Sequence, residues 1–368
     1  MKSIDVVVPS ARLQDGPLTA ILAMRCPPGV TLRFIVVADN PATELPPVLL
    51  ARARDPAVTV IRNSSNLGAP ESRNKGVAAS SADWILFLDD DVVPEPGLLE
   101  VYADAIAQDS GRPGFFGTTR YPAAKTAFQR GVLASEILTF FGIAGWYVEM
   151  PWATTSNVLV RGPDMRAHRF SGAFPKAGGG EDIDVFLRLT GQARAEFRAV
   201  PAAIVHHDFW PGNRRNYRRF FRWAFGDSKL HALHPAHVYR TAPNAIELAV
   251  LLVPIAAVAG LALQCPLLLF APVVGISMGE WLGETMRLLM RGAWRDLHRG
   301  HETALIRLAN DLGRFVSLVI CEKQWRRVGE RFDHFCDGKH VAHQQAWAMF
   351  KSALAVVSST LLGVWCLS

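Results

Sequence analysis

The sequence is poor in features that mark several common classes of protein. Only five of its 368 residues are cysteines, and they are scattered without a CxxC pair. A small secreted scaffold held together by disulfides is therefore excluded. The chain also lacks internal repeats and low-complexity tracts, and half of its residues are hydrophobic. Since so apolar a chain can bury a core, we expect one large folded domain or two ordinary ones rather than disorder.

No signal peptide is recognisable at the start of the sequence. The residues after Met1 lead almost directly into an apolar run at residues 4–9, which is typical of a buried strand. We therefore expect residues 1–240 to lie in the cytosol, with membrane attachment following them.

Charged residues are absent between Glu247 and Glu280. As one helix this stretch would be about 48 Å long, whereas a bilayer core is about 30 Å thick. Pro254 and Pro272 interrupt its two halves. We expect two short membrane helices in a hairpin, or one span with a re-entrant segment. A second apolar stretch, residues 352–368, is marginal in length, and a buried or interfacial helix is the alternative to a span.

The net charge of +6 and the isoelectric point near 9.2 suggest a nucleic-acid partner, but the charge is unevenly distributed. Residues 1–210 carry 20 basic and 22 acidic side chains, so this region is not basic. Residues 286–343 carry 11 basic and 7 acidic ones, with an amphipathic helical pattern at residues 304–319. The excess of basic residues flanks the apolar stretch, which favours anionic lipid over nucleic acid as the partner. It also predicts that the basic loop lies in the cytoplasm.

Short apolar runs alternate with helical patterns over the first 231 residues. The predicted strands cover residues 4–9, 32–38, 57–62, 84–89, 156–161 and 199–205. The predicted helices cover residues 16–25, 69–80, 96–108, 126–142, 181–190 and 213–231. This alternation predicts an α/β domain with a largely parallel sheet.

Three adjacent carboxylates, Asp89, Asp90 and Asp91, follow the apolar strand at residues 84–88. Carboxylates crowded at the end of a buried strand repel one another and need a cation or hydrogen-bond donors nearby. In open α/β sheets, ligands gather at the carboxyl ends of strands, and a hard divalent cation with ligand phosphates suits such a place. The alternative is a group of acids that caps the next helix.

A glycine turn at Gly68 opens a predicted helix that carries Arg73 and Lys75. A helix start with cationic side chains suits a phosphate group, although a solvated helix face is the simpler alternative.

Three glycines, residues 178–180, precede Glu181, Asp182 and Asp184. The glycines allow close backbone approach or a mobile loop. A carboxylate beside such a loop suits a general base for an incoming hydroxyl group. The alternative is that these acids only complement the dipole of the helix they begin.

A predicted strand ends in His206 and His207, and residues 211–240 then carry seven basic side chains and one acid. Arginines interleaved with aromatic residues can bind RNA, lie beneath a membrane or clamp a diphosphate. Because this segment lies just before the apolar stretch, we favour the membrane and the diphosphate.

The motifs occur in an order that resembles a known family. They are Val-Val-Val-Pro-Ser (6–10), Val-Ala-Asp-Asn (37–40), Asn-Leu-Gly to Arg-Asn-Lys-Gly (66–76), Leu-Asp-Asp-Asp (88–91), Thr-Ser-Asn-Val-Leu-Val-Arg (155–161), Gly-Gly-Glu-Asp-Ile-Asp (179–184), the two histidines, and Arg-Phe-Phe-Arg-Trp (219–223). Over about residues 4–235 the chain is similar to inverting glycosyltransferases of family 2. The last motif resembles the Q/RxxRW signature of membrane-bound members such as cellulose, hyaluronan and glucosylceramide synthases.

The resemblance implies an α/β fold of the GT-A type: a Rossmann-like, mixed, mostly parallel sheet, followed by an α-helical membrane-associated C-terminal region. The implied nucleotide-binding residues are Pro9, Ser10, Asp39, Arg73, Asp89, Asp90 and Arg219. The implied metal ligands are Asp91 and His207, with His206 as an alternative to His207. The implied catalytic residues are Asp182 as the base, Glu181 in support, and Arg222 and Trp223 beside the diphosphate and acceptor.

The sequence departs from the family's pattern in three places. The usual Tyr-Asn is missing after Pro9-Ser10, and Ala38-Asp39-Asn40 replaces the commoner pair of acids. Gly180 stands where processive synthases usually have threonine, which weakens a claim of processive synthesis.

The implied function is metal-dependent transfer of a sugar from a nucleotide-sugar, with a UDP-sugar expected, to a hydroxyl of a lipid or lipid-linked glycan at the membrane. Mg²⁺ or Mn²⁺ is the implied metal ion. A polyprenyl-phosphate sugar synthase is the alternative enzyme, and a membrane-tethered scaffold or RNA-binding protein is the alternative without catalysis. The sequence says nothing about oligomeric state.

The predicted organisation has four parts. A cytosolic GT-A domain covers residues 1–240, a membrane hairpin 241–285, basic cytosolic or interfacial helices 286–343, and an apolar helix 344–368. We expect the protein in the inner or plasma membrane with its catalytic domain in the cytoplasm.

Overall fold

The computed structural model describes residues 2–176, 178–210, 214–291 and 300–367. The chain forms two compact units. The first comprises residues 1–123 and 138–212, and the second comprises residues 124–137 and 213–368. Each unit is described by itself below. The predicted division into four parts concerns placement at a membrane and stays a prediction.

The first unit is built on one nine-stranded mixed sheet. Its strands are β1 (Lys2–Ser10), β2 (Val30–Ala38), β3 (Val58–Arg62), β4 (Trp84–Leu88), β5 (Val92–Pro94), β6 (Gly114–Arg120), β7 (Glu149–Met150), β8 (Asn157–Arg161) and β9 (Phe197–His207). The order across the sheet is β3-β2-β1-β4-β8-β6-β9-β5, with β7 also paired to β9. The four strands β3, β2, β1 and β4 are parallel neighbours, and β6 and β9 are a second parallel pair.

Helices separate most of these strands along the chain. They are α1 (Asp15–Leu22), α2 (Pro47–Ala51), α3 (Ala69–Ala78), α4 (Leu98–Gln108), α6 (Gly162–Ala167) and α7 (Glu181–Ala193). The core lies where apolar side chains of β1 and β4 meet α1 and α4; Ile4, Leu86, Leu18 and Tyr102 are among its fully buried members. An alternating α/β unit of this kind confirms the predicted fold class.

The topology gathers polar side chains at one edge of the sheet. Because β1 to β4 run parallel, their carboxyl ends lie on the same side. Ser10 ends β1, and Asp39, Asn63 and Asp89 come directly after β2, β3 and β4. This edge of the sheet is the place from which the functional site is built.

All six predicted strands are present, but three strands were missed. Two of them, β5 and β7, have only three and two residues. The third, β6, has the sequence Gly-Phe-Phe-Gly-Thr-Thr-Arg, whose two glycines weaken the strand pattern. Gly117 is needed there, since a Cβ at this position would collide with the carbonyl oxygen of Ala203 and the side chains of Asn157 and Tyr102.

Two predicted helices differ from those observed. The helix predicted at residues 126–142 is wrong beyond Ala134, because Glu136 takes a left-handed conformation with φ +59° and ends it. The helix predicted at residues 213–231 divides at Ser228, and its first residue lies outside the described residues.

The second unit is mainly helical. Its helices are α5 (Ala127–Ala134), α8 (Tyr217–Asp227), α9 (Leu230–Leu233), α10 (Ala245–Ala262), α11 (Phe270–Met290), α12 (Gly300–Phe315) and α13 (Val341–Leu367), and the short strands β10 (Val238–Arg240) and β11 (Glu330–Phe332) pair antiparallel. The amphipathic pattern at residues 304–319 falls on α12 and on the π-helical turn Val316–Cys321.

Among the described residues of this unit, three helical segments are long and apolar enough to cross a membrane: Ala245–Ala262, Pro266–Met290 and Val341–Leu367. Residues 263–265 separate the first two, and α11 extends five residues past the predicted end at residue 285. The membrane hairpin itself stays a prediction. The apolar C-terminal stretch belongs to the 27-residue helix α13, which is longer than the sequence suggested because it begins at Val341.

Helices α11 and α13 pack closely and run antiparallel. Three glycines spaced four residues apart on α11 leave room for this contact. A Cβ at Gly275, Gly279 or Gly283 would collide with Ser359, Ala355 or Lys351, respectively. Small residues at this spacing let two helix backbones approach each other, as they do in membrane helix pairs.

Candidate active site

The three aspartates after β4 point to different partners. Asp90 turns back toward β1 and is buried; its Oδ2 accepts a hydrogen bond of 2.6 Å from Ser10 Oγ. Ser10 Oγ in turn accepts from the backbone N–H of Leu13 at 2.9 Å. This chain of bonds fixes the loop after β1 against the loop after β4. Asp90 and Ser10 therefore shape the edge of the site.

Arg12 covers two of the three carboxylates, and the sequence analysis did not predict it. Its Nη1 lies 2.9 Å from Asp91 Oδ2, and its Nη2 pairs with Asp90 Oδ1. The Arg12 side chain is 39% exposed, whereas the Asp90 side chain is 6% exposed. Arg12 thus lies over the acids on the solvent side and neutralises part of their charge. The arginine two residues after the end of β1 was the available signal.

His207 is the histidine that faces the acids. Val92 of β5 pairs with His207 of β9, so the segment after Asp91 lies directly beside this histidine. His207 Nε2 is 3.2 Å from Asp91 Oδ2. His206, on the opposite face of the strand, instead lies 2.8 Å from Glu95. Of the two histidines named as candidate metal ligands, His207 is therefore the one that lies beside Asp91. Its role as a ligand stays a prediction.

The charges of Asp91 and His207 stabilise each other. Burial by itself favours the neutral form of Asp91, but the hydrogen bond and charge of His207, helped by Arg12, lower the pKa of Asp91 well below its usual range. Burial opposes protonation of His207 as well, and its bond to Asp91 nevertheless raises the pKa of the imidazole above its ordinary value. The pair is therefore an ionised carboxylate beside a readily protonated imidazole.

Arg73 connects the aspartates to the acids of α7. It is buried, with 4% of its surface exposed. Its Nη2 donates to Asp89 Oδ1 at 2.9 Å, and its Nη1 donates to Glu181 Oε1 at 3.2 Å. Its guanidinium also lies 5.7 Å from the centroid of the Phe170 ring. Burial disfavours the charged guanidinium, yet the two carboxylates keep the pKa of Arg73 above its ordinary value. Arg73 therefore links the aspartates after β4 to the acids at the start of α7, which are two parts of the predicted site.

The glycine loop before α7 has a conformation that other residues rarely adopt. Gly178, Gly179 and Gly180 have φ angles of +83°, +117° and +86°. The loop brings the backbone N–H of Gly179 to 2.7 Å from Glu181 Oε2. Glu181 is therefore held both by the loop and by Arg73. Its predicted supporting role stays a prediction.

Asp182 follows Glu181 in the first turn of α7. Its Oδ1 accepts from the backbone N–H of Ile183 at 2.9 Å, and the residue is partly exposed. The positive end of the helix dipole favours an ionised carboxylate at this position. A partly exposed carboxylate in this position, beside the buried Glu181 and Arg73, suits a group that accepts a proton from a hydroxyl.

Asp39 is fully engaged with the loop after β3. Its carboxylate accepts from Asn63 Nδ2 at 2.7 Å and from the backbone N–H groups of Leu67 and Gly68, both at 2.8 Å. Lys75 Nζ lies 2.7 Å from Asn63 Oδ1. Asp39 thus holds the glycine turn that opens α3, the helix that carries Arg73. Its predicted contact with a base or ribose stays a prediction.

The remaining predicted residues are Pro9 and three residues of α8. Pro9 is a buried residue of β1. Arg219, Arg222 and Trp223 belong to α8 of the second unit, where the Arg219 guanidinium lies 5.8 Å from the centroid of the Trp223 ring. Their predicted role beside a diphosphate stays a prediction.

The donor set suits a divalent cation that also binds phosphate. Over the described ranges, no group of three or more His, Cys, Asp or Glu side chains is arranged to hold a metal ion. His207 Nε2 lies 3.2 Å from Asp91 Oδ2, so these two side chains are close enough to act as two ligands of one ion. Mg²⁺-type sites often use one or two protein ligands and complete the shell with water and substrate phosphates. Asp91 and His207 fit a site of that kind.

Residues 18–160, less than half of the chain, match the profile described as Glycosyl transferase family 2. An uncharacterized glycosyltransferase of Haemophilus influenzae is 40% identical over 75 residues, which are 20% of this chain and 25% of that protein. A pre-mycofactocin glycosyltransferase of Mycobacterium tuberculosis is 28% identical over 264 residues, which are 67% of this chain and 50% of that protein. The chain spans half or less of the length of these two relatives. Together the matches support a glycosyltransferase of family 2.

A solved structure of a mannosyltransferase from Pyrobaculum calidifontis, in complex with GDP-Man and Mn²⁺, is 13% identical. The match covers 98% of this chain and 87% of that chain, with a TM-score of 0.45.

Proposed function

For a chain whose N-terminal region matches glycosyl transferase family 2, we propose metal-dependent, inverting transfer of a sugar from a nucleotide-sugar to a hydroxyl group. One observation carries the proposal. Arg73 holds Asp89 at the end of β4 and Glu181 at the start of α7, so a site for diphosphate and a site for a general base share one anchor. A reaction that needs both a stabilised leaving group and a deprotonated hydroxyl fits this arrangement.

The donor side consists of the acids and their cations. Asp91 and His207 would hold the divalent cation, which when bound neutralises charge that develops on the leaving diphosphate. The loop after β3, which Asp39 holds in place, and the end of β1 at Ser10 would bind the nucleoside. We expect Mg²⁺ or Mn²⁺ and a UDP-sugar.

The acceptor side consists of Asp182. Its carboxylate accepts the proton of the acceptor hydroxyl as the oxygen attacks the anomeric carbon from the face opposite the leaving group. The bond between the anomeric carbon and the diphosphate oxygen breaks, and the sugar's configuration inverts. Glu181, fixed by Arg73 and Gly179, keeps the start of α7 in place and is not itself the base.

The acceptor is proposed to be a lipid or a lipid-linked glycan. The support is the second unit, which has three helices long and apolar enough to cross a membrane. We propose that the protein resides in the inner or plasma membrane with its first unit in the cytoplasm, since the basic segment 286–343 is expected on that side. The motif at residues 219–223 adds the resemblance to membrane-bound synthases, in which Arg219, Arg222 and Trp223 would act near the diphosphate.

A donor panel tests this function. Membranes containing the full chain are incubated with UDP-, GDP- and dTDP-sugars and Mg²⁺ or Mn²⁺, and lipid products are identified by mass spectrometry. We expect one donor class to give a glycosylated lipid whose formation a chelator stops. A product glycosylated on a lipid phosphate would identify a polyprenyl-phosphate sugar synthase. Absence of metal-dependent nucleotide binding in a thermal-shift assay would instead favour a scaffold.

A further inference from the structure

Arg12 contacts Asp91, the residue proposed above as a metal ligand. Its Nη1 and His207 Nε2 approach the same oxygen, Asp91 Oδ2, at 2.9 and 3.2 Å. A divalent cation at that oxygen would carry like charge to a guanidinium at contact distance. The two cannot both be in contact with Asp91 Oδ2 without strong repulsion.

Arg12 can leave Asp91 without leaving the site. Its Nη2 pairs with Asp90 Oδ1, and its Nε lies 3.5 Å from Asp90 Oδ2. Asp90 is itself held by Ser10, so this second attachment is a fixed one. The side chain is partly exposed and has several rotatable bonds. A small rotation of the Arg12 side chain would move Nη1 away from Asp91 while the guanidinium stays paired with Asp90.

We propose that Arg12 is a replaceable counter-cation of the aspartate cluster. It neutralises Asp90 and Asp91 while no divalent cation is bound. It gives up Asp91 when such a cation binds, and its freed Nη1 then pairs with the diphosphate of the donor. Arg12 would thereby couple metal binding to donor binding. The inference rests on the proposed function, since it takes Asp91 as a metal ligand.

The test compares Mn²⁺ binding to three forms of the full-length protein in detergent: wild type, Arg12→Gln and Arg52→Gln. Arg52 is a matched control, because it is similarly exposed and makes a 3.0 Å ion pair with Asp55 away from the aspartate cluster. Free Mn²⁺ is measured by electron paramagnetic resonance. Binding of nucleoside diphosphates is measured separately by calorimetry at saturating Mn²⁺. Arg12→Lys is included as a variant that keeps the charge.

We expect Arg12→Gln to bind Mn²⁺ about tenfold more tightly, as loss of one competing charge at a partly exposed site would produce. The same variant should bind the diphosphate about tenfold more weakly. Arg12→Lys should lie between it and wild type, and Arg52→Gln should equal wild type. Unchanged or weaker Mn²⁺ binding by Arg12→Gln would overturn the inference alone. Absence of Mn²⁺ binding in every form would overturn the metal site of the proposed function.

A separate observation concerns two cysteines that are 101 residues apart in sequence. Cys265 lies between α10 and α11, and Cys366 lies in the last turn of α13. Because α13 runs antiparallel to α11, its end returns to the turn of the hairpin. Cys265 Sγ lies 3.2 Å from the carbonyl oxygen of Cys366. Both residues are thiols and partly buried.

We infer that Cys265 and Cys366 form a disulfide when a disulfide oxidant reaches them. The thiolate of one cysteine attacks the disulfide of the oxidant and displaces one thiolate, which leaves a mixed disulfide. The thiolate of the other cysteine attacks the mixed disulfide, forms the Cys265–Cys366 bond and displaces the second thiolate. The two protons and two electrons that the cysteines lose convert the oxidant into two thiols. The bond would tie the C-terminal helix to the turn of the hairpin.

Oxidised glutathione is the probe. The full-length protein is treated with it and alkylated, and its intact mass is measured. We expect two of the five cysteines to escape alkylation, a loss that Cys265→Ser or Cys366→Ser each prevents. Cys321→Ser, at an exposed cysteine, is the control and should retain the protection. Alkylation of all five cysteines, or a bond that survives in both Cys265→Ser and Cys366→Ser, would overturn the inference.

Discussion

In the first unit, Asp89 and Asp91 keep 28% and 18% of their side chains exposed. The two partners of Asp91, Arg12 and His207, approach it from a loop and from a strand end. In the second unit, Glu284 on α11 is completely buried and Glu280 nearly so, and both pair with Lys351 on α13. The first arrangement leaves room for a ligand to replace a partner. The second arrangement buries its charged groups between two helices. We infer that the acids of the first unit serve function and those of the second serve helix packing.

The comparison first predicts a loss of activity without loss of fold. Asp91→Asn should lower sugar transfer by at least about a thousandfold, because a metal ligand at a developing charge contributes several kcal/mol to the transition state. The fold should persist, since the change also relieves repulsion among three acids. Turnover with the identified donor is the measurement, and Asp104→Asn on the exposed face of α4 is the control. If Asp91→Asn turned over at the wild-type rate, Asp91 would not be part of the active site.

The second unit should respond in the opposite way. Lys351→Met leaves the buried Glu280 without its cation and removes one of the cations near Glu284, which keeps Arg307 at 3.4 Å. The change should cost about 3 kcal/mol of stability. Thermal unfolding in detergent measures the loss, with the exposed Lys339→Met as control. Nucleotide binding at a temperature where the variant is folded should not change. A variant of unchanged stability that no longer binds nucleotide would break the distinction between the two units.

Arg73 sharpens the comparison, because it is a buried cation within the functional unit. Arg73→Lys keeps the charge but cannot contact Asp89 and Glu181 with a planar fork. We expect turnover to fall about a hundredfold, mainly in kcat, because misplacement of reacting groups by about 1 Å has an effect of this size. Steady-state kinetics is the measurement. The control is Arg33→Lys, since Arg33 on β2 pairs with Asp5 on β1. Equal losses in both variants would indicate a general effect on folding.

The smallest effect concerns pH, and its sign differs between the units. Burial, reinforced by surrounding arginines, lowers the pKa of His231 in the second unit to about 3. Below pH 6.5 the unfolded state therefore takes up a proton that the folded state refuses, and stability falls as pH falls. Between pH 7 and pH 5 the loss should be about 2 kcal/mol. His207 in the first unit has a raised pKa, so its contribution is present below pH 6.5 and is lost as pH rises.

Thermal unfolding at pH 7 and pH 5 separates the two histidines. His231→Leu should reduce the loss of stability on acidification, and His207→Asn should increase it. Shifts of the same sign in the two variants would contradict the opposite environments described for them.

The fold class could be predicted from the sequence, because strand ends carry recognisable motifs. The aspartates after β4, Glu181 and Asp182 at the start of α7, and His207 were named from the order of the motifs, and their roles in a site stay predictions. Arg12 could not be named in this way, since its role depends on how the loop after β1 folds over Asp90. The contact of Arg73 with Glu181 was missed for the same reason: residues 108 positions apart meet only through the sheet.

In the second unit, composition predicted apolar helices but not the packing of α13. The pairing of Lys351 with Glu280 and Glu284 depends on the register between two helices, which hydropathy does not encode. Residues 292–299, part of the predicted basic segment, lie outside the described residues.

The central claim is that Asp182 is the base of a sugar-transfer site anchored by Arg73. The most direct test is to measure, on purified Asp182→Asn, both donor binding in the presence of Mn²⁺ and transfer to the acceptor. The account predicts that donor binding is retained and that transfer is lost. Normal turnover by Asp182→Asn would contradict it.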